Sequence, residues 1–198
     1  MRDSSLFISQ SSIYRNGAGN NGGGVTQFGG SLTAVNSTMS GNRSDGATAL
    51  FVGGFGNAQL EHVTIAGPEV FLGTTPGPTI ELIGTTATFT NSAVAGPCSL
   101  FFSGSVPESL GGNVVEDTSC LVSNSDDRVA EDLEILPLAS IGSDRVIHLP
   151  RISSPLVDAA TGCLAVDQRD VPRGEPCDAG SAERVEDDNF VFLNGFES

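Results

Sequence analysis

A chain of 198 residues with a net charge of −15, nine arginines and no lysine is long enough for one domain with a continuous core. It is too acidic to favour phosphate backbones or anionic lipid headgroups, so nucleic acid is not an expected partner. Glycine is abundant at 25 residues but recurs at intervals, tryptophan is absent, and no apolar run reaches the ~20 residues of a transmembrane helix.

The first element, residues 5–16 (SLFISQSSIYRN), recurs at residues 31–42 (SLTAVNSTMSGN), 59–67 (QLEHVTIAG) and 87–96 (ATFTNSAVAG). The columns of this repeat read Leu6, Leu32, Ala58, Ala87; Ile8, Ala34, Leu60, Phe89; and Ile13, Met39, Ile65, Val94. Self-similarity at a fixed spacing of 20 to 50 residues marks a solenoid. Leu32, Ala34 and Asn36 share the parity of one strand face, whereas Met39 breaks it, so the chain must bend after Asn36. Further β-type runs at residues 25–28, 49–52 and 79–83 adjoin Gly-rich connectors, and no apolar 3.6-residue period is sustained. These features predict an all-β parallel β-helix of about 26 residues per coil, and the crossover rule makes it right-handed.

A polar column, Gln10, Asn36, His62 and Asn91, falls at the predicted bend. Stacked amides can hydrogen-bond from coil to coil there, which reads His62 as a ladder member rather than a catalytic base. Residues 1–97 are the repeat coils and 98–150 irregular final coils with an insertion; 151–183 form a C-terminal cap segment, and 184–198 an acidic spacer and apolar tail. Within the irregular region, 109–115 resume a β-type run, 123–132 read as an acidic loop, and 133–138 as a last strand. Of the three possible pairings of four cysteines, sequence neighbours are favoured: Cys98 with Cys120 and Cys163 with Cys177. Two such disulfides point to an oxidising compartment; Cys98 with Cys120 would clip an insertion or a changed coil, and Cys163 with Cys177 would tie the cap.

No catalytic set emerges. The coils carry Asp3, Asp45, Glu61, Glu69 and Glu81 without an adjacent acidic pair, and Asp126–Asp127 lies in the acidic loop. The densest polar group is Asp158, Asp167, Arg169, Arg173 and Asp178, with Asp170 beside it. It fits either a calcium or carbohydrate site or an ion-paired network closing the cap, and the planar arginine fork favours the network. No cofactor is expected, calcium being the one weak candidate.

The ordered motifs SPLVDA (154–159), Cys163, DQRDVPR (167–173) and CDAGSAE (177–183) resemble the closing segment of the choice-of-anchor Q domain family, secreted bacterial β-helix proteins. Asp170 stands where that pattern has glycine. The ending FVFLNGFES, through Phe192, Gly195, Phe196 and Glu197, is similar to a short tail of secreted gammaproteobacterial proteins. The resemblance implies a secreted or outer-surface protein of a Gram-negative bacterium, with the tail as a sorting signal or a cap strand. The chain reads as monomeric or as the C-terminal part of a longer secreted protein. Its expected function is a non-enzymatic scaffold or adhesin-like domain with a surface or glycan partner. The alternative is a polysaccharide lyase or hydrolase, or a non-catalytic glycan-binding module.

Overall fold

The computed structural model describes residues 4–67, 77–101, 107–120 and 123–188. Strands β1 (Ser5–Ser9), β4 (Ser31–Ser40), β6 (Asn57–Ala66), β9 (Ala93–Ala95), β12 (Val114–Val115) and β13 (Arg128–Val129) succeed one another in a parallel sheet. Strands β2 (Ser12–Tyr14), β8 (Thr86–Thr90) and β11 (Pro107–Ser109) belong to the same sheet. A second parallel sheet stacks β3 (Val25–Phe28), β5 (Leu50–Gly53), β7 (Ile80–Ile83) and β10 (Cys98–Phe101). The chain is a parallel β-solenoid.

The observed registers are those of the sequence columns. Leu6 pairs with Leu32, Leu32 with Ala58 and Ala58 with Ala87; Met39 pairs with Ile13 and Ile65. Leu32, Ala34, Met39, Leu60, Ile65, Leu82 and Phe89 fill the interior of the coils. Parallel pairing advances 26 residues between the first coils (Ser5 to Ser31) and 29 at the next step (Asn57 to Thr86). The step then shortens to 21 (Ala93 to Val114) and 14 (Val114 to Arg128), so the final coils are tighter than the repeat.

Gln10, Asn36, His62 and Asn91 all have positive φ, between 44° and 51°. The column therefore makes the bend, in the left-handed region that Asn and His enter more readily than other non-glycine residues.

Two expected elements differ. Residues 133–138 form no strand; Ile135 makes a single antiparallel bridge to Pro150, and the strand pairing falls later, between β14 (Ala139–Ser140) and β15 (Val146–Ile147). Within the acidic loop, β13 adds one more short rung beside β12.

The disulfide-tied C-terminal segment covers a lateral face of the stack. Before the bend, β4 and β6 alternate between buried and more open positions; after it, every residue is buried. Side chains facing outward there are covered by this segment, which zigzags along the coils. Val146 exchanges hydrogen bonds with Ser12 of the first coil, and Asn91 of the fourth reaches the Thr161 carbonyl. Gln168 returns to Ser12, and the Gly180 N–H donates to the Asn91 carbonyl. Gly180 has φ +93°, and a Cβ there would lie 2.6 Å from Thr64 Oγ1 and 3.2 Å from the Ala93 methyl. Gly180→Ala is expected to destabilise the protein by about 2 kcal/mol or more, from backbone strain plus overpacking, read as a fall in the thermal midpoint.

Candidate functional site

The polar residues singled out by sequence gather in the seam between the coils and this lateral segment. Asp167 sits at its centre: Oδ1 accepts from the Arg169 and Val171 N–H groups, and Oδ2 from Arg169 Nε and the Glu183 N–H. Arg169 continues to Asp188 at 2.8 Å and to the Glu183 carbonyl, with its side chain 2% exposed. The Arg173 side chain is fully enclosed. It donates to Glu183 at 3.2 Å, to the Asp178 and Gly180 carbonyls, and to Asn36 Oδ1 of the second coil at 3.1 Å.

Hydroxyls and amides complete the seam. Thr38 Oγ1 donates to Gln168 Oε1, Ser181 bonds Thr38 and Thr64, and Ser40 meets His148 Nε2 at 2.7 Å. Burying these groups is tolerable only because each finds a partner.

The electrostatics follow from this enclosure. Burial acts against the charge of Arg169, but Asp188 and Asp167 outweigh it and hold the guanidinium above its ordinary pKa. For Arg173 burial wins over Glu183 and Asp167, and the pKa falls. Asp178 is pushed up to about 6 by burial, against the N–H groups of Arg184 and Asp158 that its carboxylate accepts. His62 is lowered to about 3, first by burial and then by the charge of Arg173. Its Nε2 lies 3.2 Å from Asn91 Nδ2, whereas Nδ1 has no hydrogen-bond partner among the described residues. The Gly180 backbone favours the charged ring slightly, without the geometry of a hydrogen bond.

Not every residue occupies its expected place. Cys98–Cys120 and Cys163–Cys177 are disulfides. The Gln10, Asn36, His62 and Asn91 column bonds coil to coil only between His62 and Asn91. Gln10, Asn36 and Asn91 instead reach Asp170, Val166 and Thr161 of the lateral segment. Asp158 is exposed and contributes its N–H, not its carboxylate, to Asp178. Asp170 adopts φ +68°, the conformation glycine would supply, and pairs with Arg145 at 2.6 Å. Phe192, Gly195, Phe196 and Glu197 lie outside the described residues.

Sequence reasoning missed Glu183 and Asp188 as network members. Glu183 closes the CDAGSAE motif and was available as a signal; Asp188 looked like part of a solvated acidic spacer but is 5% exposed. In the acidic loop, the Asp127 carboxylate accepts from Asn113 N and Nδ2 and from Asn124 N. That is a rung-to-rung tie across 14 residues.

Every Asp167 oxygen already faces an N–H donor, so the network meets its carboxylates with protein cations and amides. Among the described residues no three His, Cys, Asp or Glu side chains converge as metal ligands would.

The open face of the large sheet carries Ser31, Thr33 and Val35, then Asn57, Gln59 and Glu61, then Thr86, Thr88 and Thr90 in register. Glu61 is flanked there by Val35 and Thr90, and the next carboxylate of that face, Glu108, stands two rungs away beside Thr88.

No protein-family model matches the chain, and neither the curated proteins nor the solved structures yield a match.

Proposed function

We propose that this chain is a non-enzymatic β-solenoid scaffold, a stalk or adhesive platform of a secreted or surface-attached bacterial protein in the choice-of-anchor Q family. One observation carries this reading. The densest polar cluster joins Asp167, Arg169, Arg173, Asp178, Glu183 and Asp188 to one another, and through the Arg173 bond to Asn36 it fastens their segment to the coils. Two disulfides support an oxidising, extracellular location, and no described helix is long and apolar enough to cross a membrane. The ordered C-terminal motifs support the family, and the apolar tail supports a sorting role within it.

The test is one fractionation of the full-length protein with and without residues 190–198, each fraction assayed for surface retention and for turnover of pectin- and alginate-like polymers. Tail-dependent retention without turnover is expected. Turnover that one Asp or Glu substitution abolishes would replace the scaffold with an enzyme.

A further inference from the structure

Phe55 is the side chain that the fold does not explain. It is 95% exposed and has φ +60°, a conformation in which a bulky residue is a true outlier. Its position follows from a one-residue insertion. Phe28, Gly53 and Ile83 are in register on one side of the turn, and Ser31, Asn57 and Thr86 on the other. Between these rungs lie Gly29 and Gly30 in one coil, Gly54, Phe55 and Gly56 in the next, and Gly84 and Thr85 in the third. The extra residue of the middle coil is pushed out of the stack, with Gly54 beside it at φ +69°. Phe28 leans on Phe51 with ring centroids 5.1 Å apart, whereas the Phe55 ring has no aromatic partner among the described residues. Backbone bonds hold the bulge from both sides: the Phe55 N–H donates to the Gly84 carbonyl and the Asn57 N–H to the Gly30 carbonyl, each at 3.0 Å.

The ring itself lines a depression of about 290 Å³, together with Gly30, Gly56, Gly84, Asn57, Thr85 and Thr86. Its lining carries no charge, and it opens onto the polar columns of the sheet, which are neutral at Asn57, Gln59, Thr86 and Thr88 and end in Glu61 along β6 and Glu108 beside Thr88. The side chains of Asn57, Gln59, Thr86 and Thr88 make no hydrogen bond within the described residues, although Asn57, Gln59 and Thr86 are exposed. Same-face positions along a parallel strand repeat every ~6.6 Å and neighbouring strands every ~4.8 Å, so these donors and acceptors form a grid beside the Phe55 ring.

From this geometry we infer that Phe55 and the Asn57, Gln59, Thr86 and Thr88 grid form a binding subsite for a neutral, pyranose-based polysaccharide. The axial C–H face of a pyranose is apolar and its rim is hydroxylated, which matches an aromatic platform flanked by neutral amides and hydroxyls. The −15 charge disfavours a uronate polymer or a nucleic acid on the same surface. The inference goes beyond the scaffold reading and does not depend on it: a scaffold without this subsite is still a scaffold.

Affinity electrophoresis through gels containing neutral glucan, mannan, xylan or galactan tests it, with polygalacturonate as the anionic control. The wild type is expected to be retarded by at least one neutral polymer and not by polygalacturonate. Phe55→Gly, which relieves the positive φ and so preserves the fold, is expected to weaken retardation about tenfold or more, with an unchanged or higher thermal midpoint. Retardation by none of the neutral polymers, retardation unaltered in Phe55→Gly, or stronger retardation by polygalacturonate would overturn the inference. So would self-association in sedimentation that vanishes in Phe55→Gly, which would make a second copy the occupant. A reducing-end assay on the same mixtures separates this question from catalysis, because turnover would sink the non-enzymatic reading and leave the subsite standing.

Discussion

Arg173→Ala is expected to lower the free energy of unfolding by about 3–5 kcal/mol, the range found when one partner of a buried ion pair is removed. The size follows from what Arg173 holds. Its guanidinium meets Glu183, the Asp178 and Gly180 carbonyls and Asn36, and the last of these belongs to a different part of the chain. Without it Glu183 keeps its charge in a buried seam, and the Gly180 and Asp178 carbonyls lose their donors. Urea denaturation of the two proteins measures the difference. Replacing Glu183 by Gln in the Arg173→Ala background is expected to recover part of the loss, because the orphaned charge then disappears. A loss below about 1 kcal/mol would mean that the seam is wet and the pair behaves as a surface salt bridge.

The second large effect is a loss of stability in mild acid through His62. Its folded pKa of about 3 lies below the ordinary 6.5, so the unfolded chain takes up a proton below pH 6.5 while the folded chain does not. The stabilisation is therefore complete above pH 6.5 and is lost as pH falls towards 3, by up to roughly 4–5 kcal/mol for the full shift. His148, also lowered mainly by burial, adds to the loss. Asp178 acts in the opposite sense. Its pKa is raised to about 6, so its contribution is fully present below 3.8 and is lost as pH rises through 6. Acidification thus recovers the Asp178 contribution while losing that of two histidines, and the histidines win.

His62→Asn separates these contributions. The residue sits at φ +50°, and the equivalent residues Asn36 and Asn91 adopt the same conformation. The variant should fold, lose little stability at pH 7.5, and show a drop between pH 6.5 and 5 that is smaller by about 2 kcal/mol. An unchanged acid drop would place His62 in contact with solvent.

The coils were legible because solenoid packing is local in sequence. Leu32, Ala34, Met39 and their counterparts announce the interior by parity, and the one break in parity marks the bend at Asn36 and His62. The cysteine pairs were legible from loop closure. The lateral seat of residues 133–188 was not, because Thr38, Ser40 and Thr64 have the polarity of an exposed strand face. A hydroxyl does not reveal whether water or Gln168 and Ser181 will satisfy it. Asp188 was hidden for the same reason, since a buried carboxylate and a solvated one are spelled alike. Phe55 was masked by the Gly-rich connectors, whose variable length conceals a one-residue insertion until the rungs on both sides are in register.

Native-state hydrogen exchange on the lateral segment is the most direct test of the claim that its polar network is a fastening. The amides to follow are Gln168, Ala179 and Gly180, which donate to Ser181, Leu156 and Asn91 carbonyls, with Ala34 and Leu60 of the coils as the reference. The account predicts that both sets exchange only through global unfolding, with the same free energy and the same denaturant dependence. Exchange of the segment through a separate opening several kcal/mol below that of the coils would contradict it, and would make the segment a lid whose charged residues face a site.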